Sequence, residues 1–185
     1  MLTPPRLVLV RHGQSTYNAQ ARLQGQADPP LSQTGRADAE ALRPFLPRFE
    51  QVVTSDLQRA SETAALLGYP DAPRDERWRE IFVGEWSGRS LAELPTGTEA
   101  AWRGGPLRAP DGESWAQFEA RVGGAVDELV AAGGDWLVIC HGGVVRAALS
   151  YVTGVNPRMV AGPANTSVTV LRPPFLERYA WTPAL

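Results

Sequence analysis

The chain has 185 residues, of which 43% are hydrophobic and 21% are charged, values that are ordinary for a globular protein with a buried core. Its formal net charge of −2 argues against a general nucleic-acid binder and against a binder of anionic membranes. A single cysteine excludes an internal disulfide and fits a reducing compartment, and no signal peptide or membrane-spanning apolar run is recognisable. We therefore expect one domain over residues 1–185, located in the cytoplasm, with neither nucleic acid nor membrane as a partner.

The first pattern in the chain is an apolar run at residues 7–10 that ends in Arg11, His12 and a glycine. It predicts a buried parallel strand, and the carboxyl ends of such strands face the ligand crevice in open α/β sheets. The same pattern returns at residues 136–140, followed by His141 and two glycines. Both histidines of the chain stand in this position, so we interpret them as functional residues rather than as hydrogen-bonded core residues.

A short helix, a polar loop and a longer helix are expected after the first strand. Residues 14–18 predict a helix whose N-terminus offers N–H groups to an anion, with Asn18 as a further amide donor. Ser32 is expected to cap a helix that reaches about Leu42. The apolar residues of that helix at helical spacing are Ala37, Ala41 and Leu42.

A strand at residues 51–54 and another helix follow. Either Ser55 or Asp56 is expected to cap this helix, which puts Arg59 in its first turns. The helix dipole disfavours a cation there. Either an anion beyond the helix N-terminus explains the position of Arg59, or Arg59 is a surface residue paired with Glu62.

Two glutamates beside aromatic residues are candidates for a general acid. Glu80 and Glu85 flank Phe82 and Trp86 in the sequence. A carboxyl group against aromatic surface is favoured in its neutral form, which suits proton donation. Glu80 is the preferred candidate, with Glu85 as its competitor.

An irregular region extends over about residues 84–114. It is rich in Pro, Gly and Trp without clear periodicity, which is typical of a lid or a substrate wall. Its tryptophans are expected either to line that wall or to pack beneath it; they are Trp86, Trp102 and Trp115.

The C-terminal part again alternates helices and strands. Ser114 is expected to cap a helix that reaches about Ala132 and leads into the second histidine-bearing strand. A helix over residues 144–152 and late strands at 167–171 and 177–181 complete the pattern. This alternation favours the α/β class.

The candidate residues share one chemistry. Two imidazoles, two or more guanidinium groups, an amide and helix N-termini at one sheet edge fit a phosphoryl group, whose transfer needs positive charge around its oxygens. No His, Asp and Glu cluster has the spacing of a metal site, so we expect guanidinium groups to supply that charge without a metal or cofactor. A neutral imidazole is a competent nucleophile toward phosphorus.

The sequence resembles the histidine phosphatase superfamily, also called the phosphoglycerate mutase-like family. The matching stretches lie in the family's order over most of the chain, at residues 11–18, 24–35, 55–60, 79–88 and 141–146. The resemblance implies a three-layer α/β/α sandwich with a mostly parallel central sheet. It also implies a phosphatase that forms a phosphohistidine intermediate on His12.

The resemblance further implies a role for each matching side chain. Arg11, Arg59 and His141 would hold the phosphoryl oxygens, with Asn18 assisting. Glu80 would protonate the leaving oxygen and then activate water. The matching stretches add as phosphate- or substrate-binding candidates Gln24, Gly25 and Gly142.

Three alternatives stay open. The family's mutases have a longer and more basic stretch between the acid and the second histidine, so a phosphatase is favoured over a cofactor-dependent phosphoglycerate mutase. A catalytically silent phosphate-binding regulatory module would not need both histidines, Arg59 and Glu80. Residues 140–146 also fit the loop of cysteine-based phosphatases, but strand alternation points Cys140 away from the face that His141 uses, so a core thiol is the better interpretation.

The expected partner is a small-molecule phosphate monoester whose identity the sequence does not reveal. The sequence does not determine the oligomeric state either, and a homodimer stays open.

Overall fold

A five-stranded sheet lies at the centre of the structure, a computed structural model that describes residues 5–94, 96–98 and 108–183. Its strands are β1 (Arg6–Arg11), β2 (Gln51–Thr54), β3 (Asp135–Cys140), β4 (Val168–Arg172) and β5 (Phe175–Trp181). They lie in the order β2-β3-β1-β4-β5. β1 and β2 both run parallel to β3, whereas β4 is antiparallel to β1 and β5 is antiparallel to β4. Four of these five strands therefore point the same way, which confirms the mostly parallel sheet.

Helices connect the strands. They are α1 (Thr16–Ala19), α2 (Gln33–Leu42), α3 (Gln58–Leu66), α4 (Trp115–Ala132) and α5 (Gly142–Thr153). Short 3-10 turns lie at Arg43–Phe45, Glu76–Trp78, Gly84–Trp86, Leu91–Glu93 and Pro157–Met159. Within the described ranges, no helix combines the length and the apolar character needed to cross a membrane.

The side chains of β1 alternate between two cores. Leu7 and Leu9 pack with residues of α4 and α5, whereas Val8 and Val10 pack with residues of α2 and α3. Burying each of these side chains stabilises the fold by roughly 1.5–3 kcal/mol. A sheet with a helical layer on each face is the α/β/α sandwich that the family resemblance implied.

The expected cap of α3 is wrong. The helix begins at Gln58, and its N-cap residue Leu57 makes no side-chain cap hydrogen bond. The two expected caps have other partners. The Ser55 hydroxyl lies beside the second histidine, and the Asp56 carboxylate pairs with Arg79 at 2.5 Å.

The cap of α2 is as expected, but its buried side is not. The Ser32 hydroxyl accepts the Gly35 N–H at 3.0 Å, while Ala37 is exposed and Ala41 is half-buried. A Cβ at Gly35 would lie 2.1 Å from the backbone oxygen of Gln14, so close packing against the loop after β1 decides which side faces inward. The residues that α2 buries are Gly35, Ala39 and Leu42.

The irregular region expected at about residues 84–114 falls partly outside the described residues, and Trp102 lies there. Of its other tryptophans, Trp86 is buried in the core that contains α4 and α5. Trp115 is half-buried and lines the cavity described below. A lid function for this region stays a prediction.

Candidate active site

Both histidines lie at the carboxyl edge of the parallel strands. Arg11 and Cys140 are register partners in β1 and β3, so the residues that follow them, His12 and His141, leave neighbouring strands side by side. Their ring centroids are 5.1 Å apart. The two side chains are buried, so their mutual approach is a fixed feature of the fold.

The His12 ring is held by its own loop. Nδ1 lies 2.6 Å from the carbonyl oxygen of Gly13. A carbonyl oxygen only accepts hydrogen bonds, so Nδ1 carries the proton and Nε2 keeps its lone pair. Burial, together with the charges of Arg59 and Arg11, lowers the pKa of His12 well below its ordinary value. The imidazole is therefore neutral at physiological pH, the form that a nucleophile needs.

Arg59 is buried within the site. Its Nε donates to His12 Nε2 at 3.3 Å, its Nη1 donates to the carbonyl of Ala27, and its Nη2 donates to the carbonyl of Gly25, both at 2.7 Å. Gly25 has a φ of +51°, a left-handed conformation that glycine adopts readily. These contacts fix the guanidinium plane beside the His12 ring.

The alternative of a surface Arg59 paired with Glu62 is wrong. Glu62 forms an ion pair with Arg36 instead. Burial lowers the pKa of Arg59 to about 10, and the nearby charge of Glu80 opposes that shift. The guanidinium thus stays protonated at neutral pH and places a positive charge where an anion would bind.

Backbone N–H groups position the Glu80 carboxylate. Oε1 accepts the N–H of Ile81 and Oε2 accepts the N–H of Gly143, both at 2.9 Å. A Cβ at Gly143 would lie 2.1 Å from Oε1, so glycine at the start of α5 allows this approach. The aromatic surroundings expected for this carboxylate are not formed by Phe82, which is 43% exposed, and the competitor Glu85 is exposed too.

Two side-chain amides present their NH₂ ends as donors. The Asn18 Oδ1 accepts the N–H of Ser15 at 3.1 Å and a hydrogen bond from Asn165 Nδ2 at 3.2 Å. The Gln24 Oε1 accepts the Ser15 hydroxyl at 2.6 Å. Because the oxygen ends of both amides are used in this way, the nitrogen ends are suited to an anionic ligand.

These groups surround a cavity of about 350 Å³. The sequence-predicted site residues on its wall are Arg11, His12, Asn18, Gln24, Gly25, Arg59, Glu80 and Gly142. His141 is fully buried next to His12. The structure thus brings all the candidates together, while the role of each stays a prediction.

Sequence reasoning missed several residues of the site. Arg22 and Arg146 also line the cavity, and the Arg146 guanidinium carbon lies 5.7 Å from the centre of the Trp115 ring. Asn165 Nδ2 donates to the backbone carbonyl of His12 at 3.0 Å. Arg146 stands at the end of the last matching stretch, which was a usable signal. Asn165 lies in the loop before β4, and no sequence pattern indicated that it belongs to the site.

Arg121 holds the segment that precedes Glu80. Its Nη1 donates to the backbone carbonyls of Arg77 at 2.8 Å and Arg79 at 3.0 Å, and its Nη2 pairs with Glu113 at 2.7 Å. This side chain comes from the middle of α4, so the helix supports the loop that carries the candidate acid.

The Cys140 thiol is a core group. It is fully buried in the core that contains α4 and α5, and burial raises the pKa of the thiol far above its ordinary value. A cysteine phosphatase needs the thiolate, which this environment disfavours. In the described ranges, no group of three or more His, Cys, Asp or Glu residues is arranged to hold a metal ion.

Comparison with known proteins places this site in a family. Residues 7–175 match the model of the histidine phosphatase superfamily, branch 1. A glucosyl-3-phosphoglycerate phosphatase of Mycobacterium tuberculosis is 36% identical over 188 residues, which cover 90% of this chain and 84% of that protein. A probable phosphoglycerate mutase, GpmB of Yersinia enterocolitica, is 33% identical, with 82% and 76% covered. The solved structure of a mycobacterial glucosyl-3-phosphoglycerate phosphatase with VO3 superposes with a TM-score of 0.82 at 35% identity, covering 89% of this chain and 91% of that one.

Proposed function

The chain belongs to the histidine phosphatase superfamily and is a phosphatase, and on that premise we propose that it hydrolyses phosphate monoesters through a phosphohistidine on His12. One observation carries the proposal. The neutral His12 ring directs its unprotonated Nε2 toward a buried guanidinium, on the wall of a cavity that a small phosphate ester fits.

In the first step Nε2 of His12 attacks phosphorus, and the bond between phosphorus and the leaving oxygen breaks. Glu80, in its protonated form, gives its proton to that oxygen and becomes the carboxylate that the N–H groups of Ile81 and Gly143 hold. Arg11 and Arg59 stabilise the charge on the equatorial oxygens, the contribution that metal ions make in other phosphoryl-transfer sites. The amide of Asn18 adds a hydrogen bond.

In the second step the Glu80 carboxylate takes a proton from water, whose oxygen attacks the phosphorus of phosphohistidine. The P–N bond breaks and its electron pair returns to Nε2 of His12. Inorganic phosphate leaves, and both residues are restored to their starting forms. The hydrogen bond from Nδ1 to Gly13 keeps the ring in one orientation through both steps.

Trapping the intermediate tests this mechanism. Rapid quench with phosphorus-labelled p-nitrophenyl phosphate is expected to give an acid-labile, base-stable label on His12. Cys140→Ser is the matched control and should turn over almost normally. Label on Cys140, or normal turnover by His12→Ala, would contradict the mechanism, and no turnover by the wild type would favour a silent phosphate-binding module.

The cavity also points to a class of substrate. Arg22 and Arg146 add two guanidinium groups to its wall, and both come from outside the stretch between Glu80 and His141. The mycobacterial relative is named for a glycosylated phosphoglycerate. For this chain we propose a phosphate monoester that carries a carboxylate in its leaving group, with the carboxylate near these two arginines.

A pair of matched substrates tests that refinement. We expect 3-phosphoglycerate to be hydrolysed with a kcat/KM about 10- to 100-fold above that of glycerol 3-phosphate, because a charge-assisted hydrogen bond contributes about 1.5–3 kcal/mol. Arg22→Gln should reduce that preference, since Arg22 is exposed at the cavity and its loss should not disturb the core. Arg48→Gln removes an exposed arginine just before β2, at the opposite sheet edge, and is the control. Equal rates for the two substrates would refute the proposal that the substrate carries a carboxylate, but they would not contradict the phosphohistidine mechanism.

A cytoplasmic location is also part of the proposal. It is supported by the single cysteine, which is a buried free thiol. Cell fractionation followed by immunoblotting tests it.

A further inference from the structure

The second histidine, His141, has a buried serine hydroxyl as its neighbour. Ser55 follows β2 directly and is fully buried, and its Oγ lies 2.9 Å from Nε2 of His141. The backbone N–H of Ser55 donates to the carbonyl of Ile139 in β3 at 2.9 Å. The hydroxyl is thus held at the sheet edge by the same strand that carries the imidazole.

Hydrogen bonding around Oγ sets the direction of the Ser55–His141 contact. Oγ accepts the backbone N–H of Leu57 at 3.3 Å. A buried hydroxyl proton also needs an acceptor, and Nε2 of His141 is positioned to be one. In that arrangement the hydroxyl donates to Nε2, which is then the unprotonated nitrogen.

A neutral ring with an unprotonated Nε2 carries its proton on Nδ1. Nδ1 of His141 is buried and finds no hydrogen-bond partner within residues 5–94, 96–98 and 108–183. A buried donor without a partner is unfavourable, and a catalytic role is one explanation for such a group. The neighbouring ring is that of His12, the proposed acceptor of the phosphoryl group.

We propose that Ser55 is a positioning residue that holds His141 in its Nδ1–H tautomer, so that Nδ1–H donates to an oxygen of the transferring phosphoryl group. The inference rests on the proposed function of the site. It adds the group that decides which nitrogen of His141 carries the proton. Burial and the charge of Arg59 lower the pKa of His141 well below its ordinary value, so the ring has one proton to place.

Nitrogen NMR reads the tautomer directly, since the chain has only 2 histidines. In the full-length protein labelled with ¹⁵N-histidine, a long-range ¹H–¹⁵N correlation spectrum separates protonated from unprotonated ring nitrogens. We expect His141 to show a protonated Nδ1 in the wild type and a shift toward the Nε2–H form in Ser55→Ala. Ser55→Thr keeps a hydroxyl and should retain the wild-type pattern, and the His12 signals should not change in either variant.

Vanadate binding supplies the second measurement. Loss of a correctly placed donor to a charged ligand should weaken vanadate binding about 10- to 100-fold in Ser55→Ala. Ser61→Ala removes a hydroxyl that donates within α3, to Gln58, and should bind vanadate normally.

Three results would overturn the inference. They are a wild-type His141 protonated on Nε2, an unchanged tautomer in Ser55→Ala, and unchanged vanadate affinity in that variant. The wild-type spectrum decides the first even if Ser55→Ala does not fold. Because the spectrum needs no turnover, failure here differs from failure of the mechanism, which would appear as normal turnover by His12→Ala.

Discussion

Acid should destabilise this protein through its two histidines. Both rings are buried and neutral, and burial lowers the pKa of each well below the value of about 6.5 that an unfolded chain shows. Unfolding below that value therefore takes up a proton at each ring. The free energy of unfolding is then greatest above about pH 6.5 and falls as the pH decreases.

The size of the effect follows from the number of rings. A histidine that stays neutral in the folded state loses about 1.4 kcal/mol of stabilisation between about pH 7.5 and about pH 5.5, so His12 and His141 together lose about 2.7 kcal/mol. Asp56 and Asp75, whose pKa values are lowered by Arg79 and Arg77, also lose stabilisation in acid. Their loss begins near the unfolded carboxyl value of about 4, below this window.

Urea unfolding followed by the fluorescence of the 6 tryptophans measures the effect at each pH. His12→Gln and His141→Gln should each show about half of the wild-type loss, whatever their own stability at pH 7.5. The comparison uses the pH dependence of each variant, so a general destabilisation by the substitution does not confuse it. If the free energy of unfolding falls by the same amount in the wild type and in both variants, the rings are not neutral in the folded state. That result would contradict the proposal that neutral His12 is the nucleophile.

Three further predictions concern the reaction. Glu80→Gln should slow an alkyl phosphate by about 100-fold or more and p-nitrophenyl phosphate far less, because nitrophenolate leaves without a proton; a differential seen only in Glu85→Gln would reassign the acid. Activity should survive EDTA and be inhibited by vanadate, since guanidinium groups supply the positive charge, and a loss that magnesium restores would contradict this. With 3-phosphoglycerate, phosphate release should exceed formation of 2-phosphoglycerate, because a mutase must exclude water and retain its intermediate; rapid isomerisation stimulated by 2,3-bisphosphoglycerate would identify a mutase instead.

Local physics made much of the fold predictable from the sequence. Apolar runs of four or five residues that end in polar residues and glycine predicted buried strands, and the polar residues that follow them were expected at the carboxyl edge of a parallel sheet. Ser32 and Ser114 cap α2 and α4 as expected, because a cap is a contact between residues three positions apart. The two histidines were identified in the same way, because both follow an apolar run and precede glycine; the pairing and register of β1 and β3 came from the structure.

Tertiary structure alone decided how the site is held. Arg59 is fixed by the carbonyls of Ala27 and Gly25, and Glu80 by the N–H of Gly143, all contacts between segments more than 30 residues apart in the chain.

The same holds for the residues that the sequence did not reveal. Ser55, one of two expected helix caps, bonds to His141. Arg146 reaches the site from α5, and Asn165 reaches it from the loop before β4. The periodicity of the apolar residues in a helix or strand determines on which of its faces each side chain lies. Its hydrogen-bond partner is a group from a distant part of the chain that packing brings within about 3 Å of the side chain. No local sequence pattern encodes that distance.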